Sequence, residues 1–372
     1  MKKTLLYGLL AILFLGMKVQ AAPVLNEAPV SRMMATGEQV DVNALMAAVQ
    51  QKMNTMTVYG MEVWMNNQMT MDVAVDMNTK VFYGVVTVDG TSVTAWGDGN
   101  TKMMYMYDST SGKYYFTPDV ADFSQLEKEK NTAMQTVSTD ASMTYTYVGK
   151  VTKTVKNQAT ECHQVHAAIT QDGITSSCEY YISTSDNRLI SLDMSMDTKS
   201  LAGMAGGISM QMNLYYPEKL TIPEEAIANA TISPGYTVSK GKVTYAVKYV
   251  KNQPVFSVSD ASKAKKAVKI ADSVTVCGKK YPVYEIGASA FYNNKKVTSV
   301  SIGKNVQVIG KRAFCNCKKL ANVKIQSKNV KTIGKDAFKA TKAGMKVKVP
   351  AKKLAKYKKL FGKAKASVSL SK

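Results

Sequence analysis

A phrase recurs three times in the C-terminal part of this 372-residue chain: Tyr284-Glu-Ile-Gly-Ala-Ser-Ala-Phe291, Gln307-Val-Ile-Gly-Lys-Arg-Ala-Phe314 and Lys331-Thr-Ile-Gly-Lys-Asp-Ala-Phe338. Its pairs Ile286-Gly287, Ile309-Gly310 and Ile333-Gly334 follow one another at steps of 23 and 24 residues. A period in the twenties with one short apolar strand per unit implies a solenoid, because no unit buries its apolar face alone and neighbours must stack. Phe291, Phe314 and Phe338 are expected to form an aromatic ladder inside the coils, with the glycines allowing a tight bend after each isoleucine. A strand follows each of the first two phrases, Val297-Thr-Ser-Val-Ser-Ile302 and Leu320-Ala-Asn-Val-Lys-Ile325. Two full repeats and a degenerate third are read here. Residues 347–360 depart from the phrase and read as a cap, with a helix over 351–361.

Charge divides the chain. Residues 231–372 hold 33 Lys+Arg against 4 Asp+Glu, a net +29, whereas residues 1–230 hold 16 against 23, a net −7. Lysine is a hydrated point charge, and Arg312 is the one arginine of the basic part, so the expected attraction is loose and salt-sensitive. Lys295, Lys296, Lys318, Lys319, Lys352 and Lys353 are the candidate contacts to an anionic cell-envelope polymer or glycan. The competing reading is a lysine-rich surface kept for solubility. Nucleic acid is disfavoured, since no reader motif or aromatic platform accompanies the charge. The cap helix has basic amphipathic character, but its length suits packing on the last coil better than lying on a membrane.

Residues 1–21 read as a secretory signal: Met1-Lys-Lys, an apolar core from Leu5 to Met17, and a small-residue site ending at Ala21. A polar leader (22–38), a first domain (39–232), a Pro234-Gly235 linker (233–235) and a second domain (236–372) follow. No transmembrane span is expected after cleavage. The protein is therefore expected to be secreted, with cell-wall association through its charge.

The first domain is methionine-rich, with 20 of the 23 methionines between Met33 and Met212. Val40 to Met56 has helical spacing, and after it the period changes to two, as in Met69-Thr-Met-Asp-Val-Ala-Val-Asp-Met77. There Thr70, Asp72 and Asp76 are expected on the wet face. About eleven antiparallel strands and a second helix near 119–137 are expected. The fold class is α+β: a curled antiparallel sheet, or half-barrel, with covering helices, plus a short, mostly β solenoid. Met61, Met65, Met69, Met71, Met77, Met194, Met196, Met210 and Met212 form either an ordinary core or the lining of an apolar cavity for a lipid or acyl chain, since methionine adapts to irregular partners.

Residues 236–349, through Ile-Gly-x-x-Ala-Phe and the strand after it, resemble the BspA-type leucine-rich repeats of bacterial surface proteins. That resemblance implies adhesion or binding of other proteins. Residues 35–230 resemble the LolA/LppX-like lipoprotein-carrier superfamily in their helix-then-meander order and in the segment Tyr215-Tyr-Pro-Glu-Lys-Leu-Thr-Ile-Pro223. The likeness implies an incomplete barrel around an apolar cavity, and a carrier or sensor of lipid or lipoprotein.

Catalytic chemistry has no constellation behind it. The two histidines, His163 and His166, point to opposite faces of a strand and make a poor metal pair. No nucleophile elbow, phosphate loop or dinucleotide fingerprint is present, and no cofactor is expected. Cys162 and Cys178, flanking Asp172-Gly173 on neighbouring strands, are the expected disulfide. Cys277, Cys315 and Cys317 leave an odd thiol. The expected function is non-enzymatic binding by the repeats, with lipid or lipoprotein carriage by the first domain as the alternative.

Overall fold

The computed structural model of the protein describes residues 40–88, 91–118, 123, 143–171, 174–196, 208–364 and 368–372. The expected signal segment and leader lie outside the described residues, as does the expected second helix apart from Phe123. The chain divides into two compact units, Met1–Ala230 and Thr231–Lys372. Strand far outweighs helix in both, so the protein is mostly β.

The first unit begins with α1 (Val42–Thr55), whose start is fixed by the Asp41 side chain accepting the Ala44 N–H at 3.0 Å. Val42, Leu45, Met46, Val49 and Met53 make its buried stripe. Eleven strands follow among the described residues: β1 (Val58–Met65), β2 (Gln68–Asp76), β3 (Val81–Val88), β4 (Thr91–Asp98), β5 (Met103–Asp108), β6 (Lys113–Thr117), β7 (Met143–Val155), β8 (Gln158–Gln171), β9 (Ile174–Ser183), β10 (Leu189–Met196) and β11 (Ile208–Tyr215). They run β6-β5-β4-β3-β2-β1-β11-β10-β9-β8-β7, and the two ends of the run do not meet. One buried cluster joins α1 to residues from most of these strands, among them Phe82, Tyr180, Leu192 and Met212. The sheet supplies the apolar face and the helix covers it. A short helix, α2 (Glu224–Asn229), closes the unit.

Two expectations fail in this unit. Asp72 and Asp76 are not wet: they are 5% and 1% exposed. Lys156, at the tip of the β7–β8 hairpin, reaches Asp72 at 2.7 Å and Glu62 at 2.8 Å, while the Tyr215 hydroxyl donates to Asp72 at 2.6 Å. Lys153 pairs with Asp193 at 2.9 Å, and Val155 packs with Ile190. The long hairpin thus covers the polar face. Burial pulls the Lys156 pKa down, but hydrogen bonds and charge from Asp72 and Glu62 more than reverse this and hold the ammonium above its ordinary range.

Cys162 and Cys178 are not joined. The β8–β9 register sets Cys162 opposite Ser183 and Cys178 opposite Ala167, five positions away along β8. That odd offset also sends the two thiols to opposite faces of the sheet. Cys162 accordingly packs with Val155 and Ile190, and Cys178 in the main cluster.

The second unit contains β12 (Thr231–Ile232), then an antiparallel lead of β13 (Thr237–Lys240), β14 (Val243–Val250) and β15 (Gln253–Asp260). Its coils carry β16 (Lys266–Lys269), β17 (Ser273–Val276), β18 (Lys279–Ile286), β19 (Val297–Ile302), β20 (Val308–Ile309), β21 (Asn322–Ile325), β22 (Thr332–Ile333), β23 (Lys346–Lys348) and β24 (Ser369–Ser371). One sheet runs β13-β14-β15-β18-β20-β22 with β17 paired to β18; the other, all parallel, runs β16-β19-β21-β23-β24.

The phrase phenylalanines are buried on the turns that lead from one sheet to the other. Phe291 and Phe314 are 4.8 Å apart at 26°, and Phe314 and Phe338 are 5.1 Å apart at 10°. The ladder has a fourth rung: Phe361, 23 residues beyond Phe338, lies 5.3 Å from it. Phe361 belongs to α3 (Leu354–Lys363), so the cap keeps the period that its sequence hides. Tyr357 of the same helix is fully buried and donates to the Ser327 carbonyl at 2.6 Å. The stack of five strands is longer than the two-and-a-part repeats read from the phrase.

The phrase glycines act through space rather than through a special bend. A Cβ on Gly310 would stand 2.6 Å from the Ala288 nitrogen, and one on Gly334 2.5 Å from the Lys311 nitrogen. Left-handed backbone occurs instead two residues later, at Ser289, Arg312 and Asp336. Adjacent phrases are tied by Phe291 N–H to Ala313 O (2.8 Å) and Phe314 N–H to Ala337 O (2.7 Å).

Phe314→Ala removes a ring stacked on both sides and is expected to cost about 3–5 kcal/mol in chemical denaturation of the repeat unit. A loss within about 0.5 kcal/mol contradicts the ladder. Burial pushes the Cys178 and Cys317 thiols up to about 11. Alkylation of native protein near neutral pH should therefore spare both, and denaturation without reductant should expose Cys162 and Cys178 to the reagent.

Candidate functional site

The outward face of the parallel sheet, called here the ladder face, is a polar surface ordered by cross-strand register. Val268, Val300, Val323 and Val347 point into the core, so the alternate positions point out. Register aligns them in two rows across the strands: Ala267, Ser299, Asn322, Lys346 and Ser369, and Lys269, Ser301, Lys324, Lys348 and Ser371. Lys269, Lys324, Lys346 and Lys348 are exposed, and a depression of about 480 Å³ runs along them. Neighbouring strands lie about 4.8 Å apart, so Lys324 and Lys348 stand side by side, an arrangement that costs free energy without a counter-charge. None of the four Asp and Glu side chains of this unit lines the face. Glu285 pairs with Lys248 at 2.5 Å, and Asp272 accepts the Lys304 N–H at 2.6 Å. The Ser301 hydroxyl accepts from Gln326 at 3.4 Å, which leaves its own proton to donate.

The lysines singled out from sequence lie elsewhere. Lys295, Lys296, Lys318 and Lys319 are exposed on the turns after Phe291 and Phe314, and Lys352 and Lys353 on the 3-10 turn (Ala351–Lys353) before α3. Lys295 and Lys296 share a basin with Lys242, Lys263 and Lys265. The ladder-face lysines were missed because Val323-Lys-Ile325 and Lys346-Val-Lys348 read as ordinary alternation; only cross-strand register makes them a row.

In the first unit the methionines separate by depth. Met61, Met71 and Met212 are buried in the cluster with α1, and Met77, Met194 and Met210 pack half-buried against it. Met65 is 44% exposed at the end of β1, opposite Met210, which in turn faces Met194. A register shift sets Met69 opposite Trp64 rather than in that row. Met196 lies on β10, opposite Ile208. The Tyr59 and Tyr180 hydroxyls, in residues 2% and 1% exposed, have no partner among the described residues, and burial raises both pKa values.

The histidines serve local pairs: His163 Nδ1 lies 3.1 Å from the Tyr147 hydroxyl and His166 Nδ1 2.6 Å from Glu179. Among the described residues no group of three or more His, Cys, Asp or Glu side chains could hold a metal ion. No helix of the described residues is long and apolar enough to cross a membrane.

The family model described as "BspA type Leucine rich repeat region" matches residues 282–367 in six copies. The C-terminal unit carries BspA-type leucine-rich repeats. A solved leucine-rich repeat protein from Bacteroides capillosus is 26% identical over 37% of this chain and 99% of its own, with a TM-score of 0.28. A leucine rich cell surface protein from Faecalibacterium prausnitzii is 26% identical over 32% of this chain and 38% of its own, with a TM-score of 0.26. The hypothetical lipoprotein YmcC from Escherichia coli is 10% identical over 48% of this chain and 98% of its own, with a TM-score of 0.22. No curated protein matches the chain. The family-model match over residues 282–367 suggests a binding role for that region.

Proposed function

We propose that the protein is a non-enzymatic binder acting at the cell surface or outside the cell, and that its BspA-type region holds an anionic envelope polymer or glycan along the ladder face. The observation that carries this reading is the in-register row holding Lys269, Lys324 and Lys348, with Lys346 in the neighbouring row and no carboxylate among the residues lining the face. Hydroxyl and amide groups at Ser299, Ser301 and Asn322 lie between the charges and suit a polymer whose acidic groups alternate with hydroxyls. A neutral protein partner remains the competing occupant, and the salt dependence separates the two.

Retention of the full chain on immobilised polygalacturonate is expected at about 0.1 M salt and lost near 1 M, as the screening length falls from about 10 to about 3 Å. Replacing Lys324, Lys346 and Lys348 by Gln removes three charges, each worth about 1 kcal/mol beside an anionic surface, and should weaken binding of order a hundredfold. Retention that ignores salt contradicts the electrostatic reading.

A second reading, carriage of an acyl chain by the first unit folded as a half-barrel with the basic repeats as tether, is favoured by the Met65, Met210 and Met194 row and by the two unpartnered tyrosine hydroxyls. On this reading, organic extraction of the purified chain yields an acyl lipid near one equivalent by mass spectrometry; protein taken from a lipid-rich lysate with none contradicts it.

A further inference from the structure

Away from the ladder face, five lysines from three segments surround one basin of about 520 Å³. Lys242 comes from the turn between β13 and β14, Lys263 and Lys265 from the loop between β15 and β16, and Lys295 and Lys296 from the turn after Phe291. Such a gathering of like charge opposes folding unless something holds it.

Asn294, 2% exposed, is what holds it. Its amide donates to the Ala261 carbonyl at 2.9 Å and the Ala264 carbonyl at 2.8 Å, and its oxygen accepts the N–H groups of Lys296 at 2.8 Å and Val297 at 2.9 Å. All four hydrogen-bonding positions of the side chain are used. Two backbone bonds reinforce it, Ala261 N–H to Ala290 O at 2.6 Å and Lys266 N–H to Lys296 O at 3.1 Å, and Ala261 and Ala264 are buried beneath. The loop bearing Lys263 and Lys265 is thereby locked onto the turn bearing Lys295 and Lys296. The charges are brought together by a buried clamp, not by chance crowding of mobile side chains.

The lining holds no carboxylate. Asp260, at the base of the loop, accepts the Ser262 N–H at 2.9 Å. Asn293, on the rim, accepts from Asn316 at 2.8 Å and keeps its own amide hydrogens to donate. Lysines acting as point charges, joined by an amide donor and without arginine forks, suit tetrahedral esters more than planar carboxylates.

We propose that this basin is a discrete site for a compact multivalent anion, a saccharide carrying several phosphate or sulfate esters. The proposal rests on the reading of the BspA-type region as an anion binder and adds a second site, separable from the ladder face. The probe is inositol hexakisphosphate, titrated calorimetrically into the full chain, into the variant K263Q/K265Q/K295Q/K296Q, and into the ladder variant K324Q/K346Q/K348Q. Saturable binding by the wild type, weakened at least about tenfold in the basin variant and little changed in the ladder variant, is the expected result. Equal weakening in both variants, or no binding by the wild type, overturns the site.

The basin variant should keep its retention on polygalacturonate; a wild type that is not retained there but still binds the probe contradicts the polymer reading and leaves the basin standing. Thermal unfolding guards against a folding defect. At low salt the basin variant should melt higher than the wild type because repulsion is relieved, with the difference closing at high salt. The probe should raise the melting temperature of the wild type and of the ladder variant, and that of the basin variant much less. A basin variant that melts lower at both salt levels contradicts the claim that the clamp holds charge under repulsion.

Discussion

Stacked phenylalanines set the geometry on which the rest of the BspA-type region depends. A solenoid coil has few long-range contacts of its own, so its position is fixed by whatever repeats at its centre. Here that is one aromatic ring per coil, from Phe291 through Phe314 and Phe338 to Phe361. The close approach demanded at Gly310 and Gly334 brings neighbouring backbones together, and the parallel strands inherit the spacing. Because each coil repeats the same inward valine, each also repeats the same outward positions. The lysine rows are thus a consequence of the ladder.

The two charged surfaces of this unit differ in how they are built. The ladder face is spread along the repeat axis, one or two side chains per strand, and fits something extended. The basin is local, drawn together by the four hydrogen bonds of Asn294, and fits something compact. In the first unit charge plays the opposite part. Lys153 and Lys156 spend theirs on Asp193, Glu62 and Asp72, fastening the β7–β8 hairpin over the sheet. Partnered lysines fasten that hairpin, whereas the lysines lining the strand face and the basin form no salt bridge among the described residues.

Sequence legibility followed the range of the interaction. Helix α1 and most strands can be read because their periodicity is local, and the phrase spacing reveals the coil because a solenoid repeats in sequence what it repeats in space. What was not legible depends on register. The residues between Cys162 and Cys178 do not fix which position of β8 faces which of β9, and a five-residue offset separated the thiols. The fourth rung is hidden in the sequence because Leu360-Phe361 keeps the ring but lacks the Ile-Gly and alanine that mark it elsewhere. Asp72 looked solvent-facing because alternation identifies two faces without saying that a distant hairpin covers one. Turns such as Asn66-Asn67, Lys156-Asn157 and Lys251-Asn252, with both residues left-handed, carry no glycine to announce them.

The central claim is that the ladder positions a lysine-bearing strand face for an anionic polymer. Amide hydrogen exchange of the full chain, with and without soluble polygalacturonate, tests it most directly. The account predicts added protection on residues 266–269, 297–302, 322–325 and 346–348, and no change in residues 58–76. Protection confined to the first unit, or absent from all four strands while the polymer is bound, would contradict it.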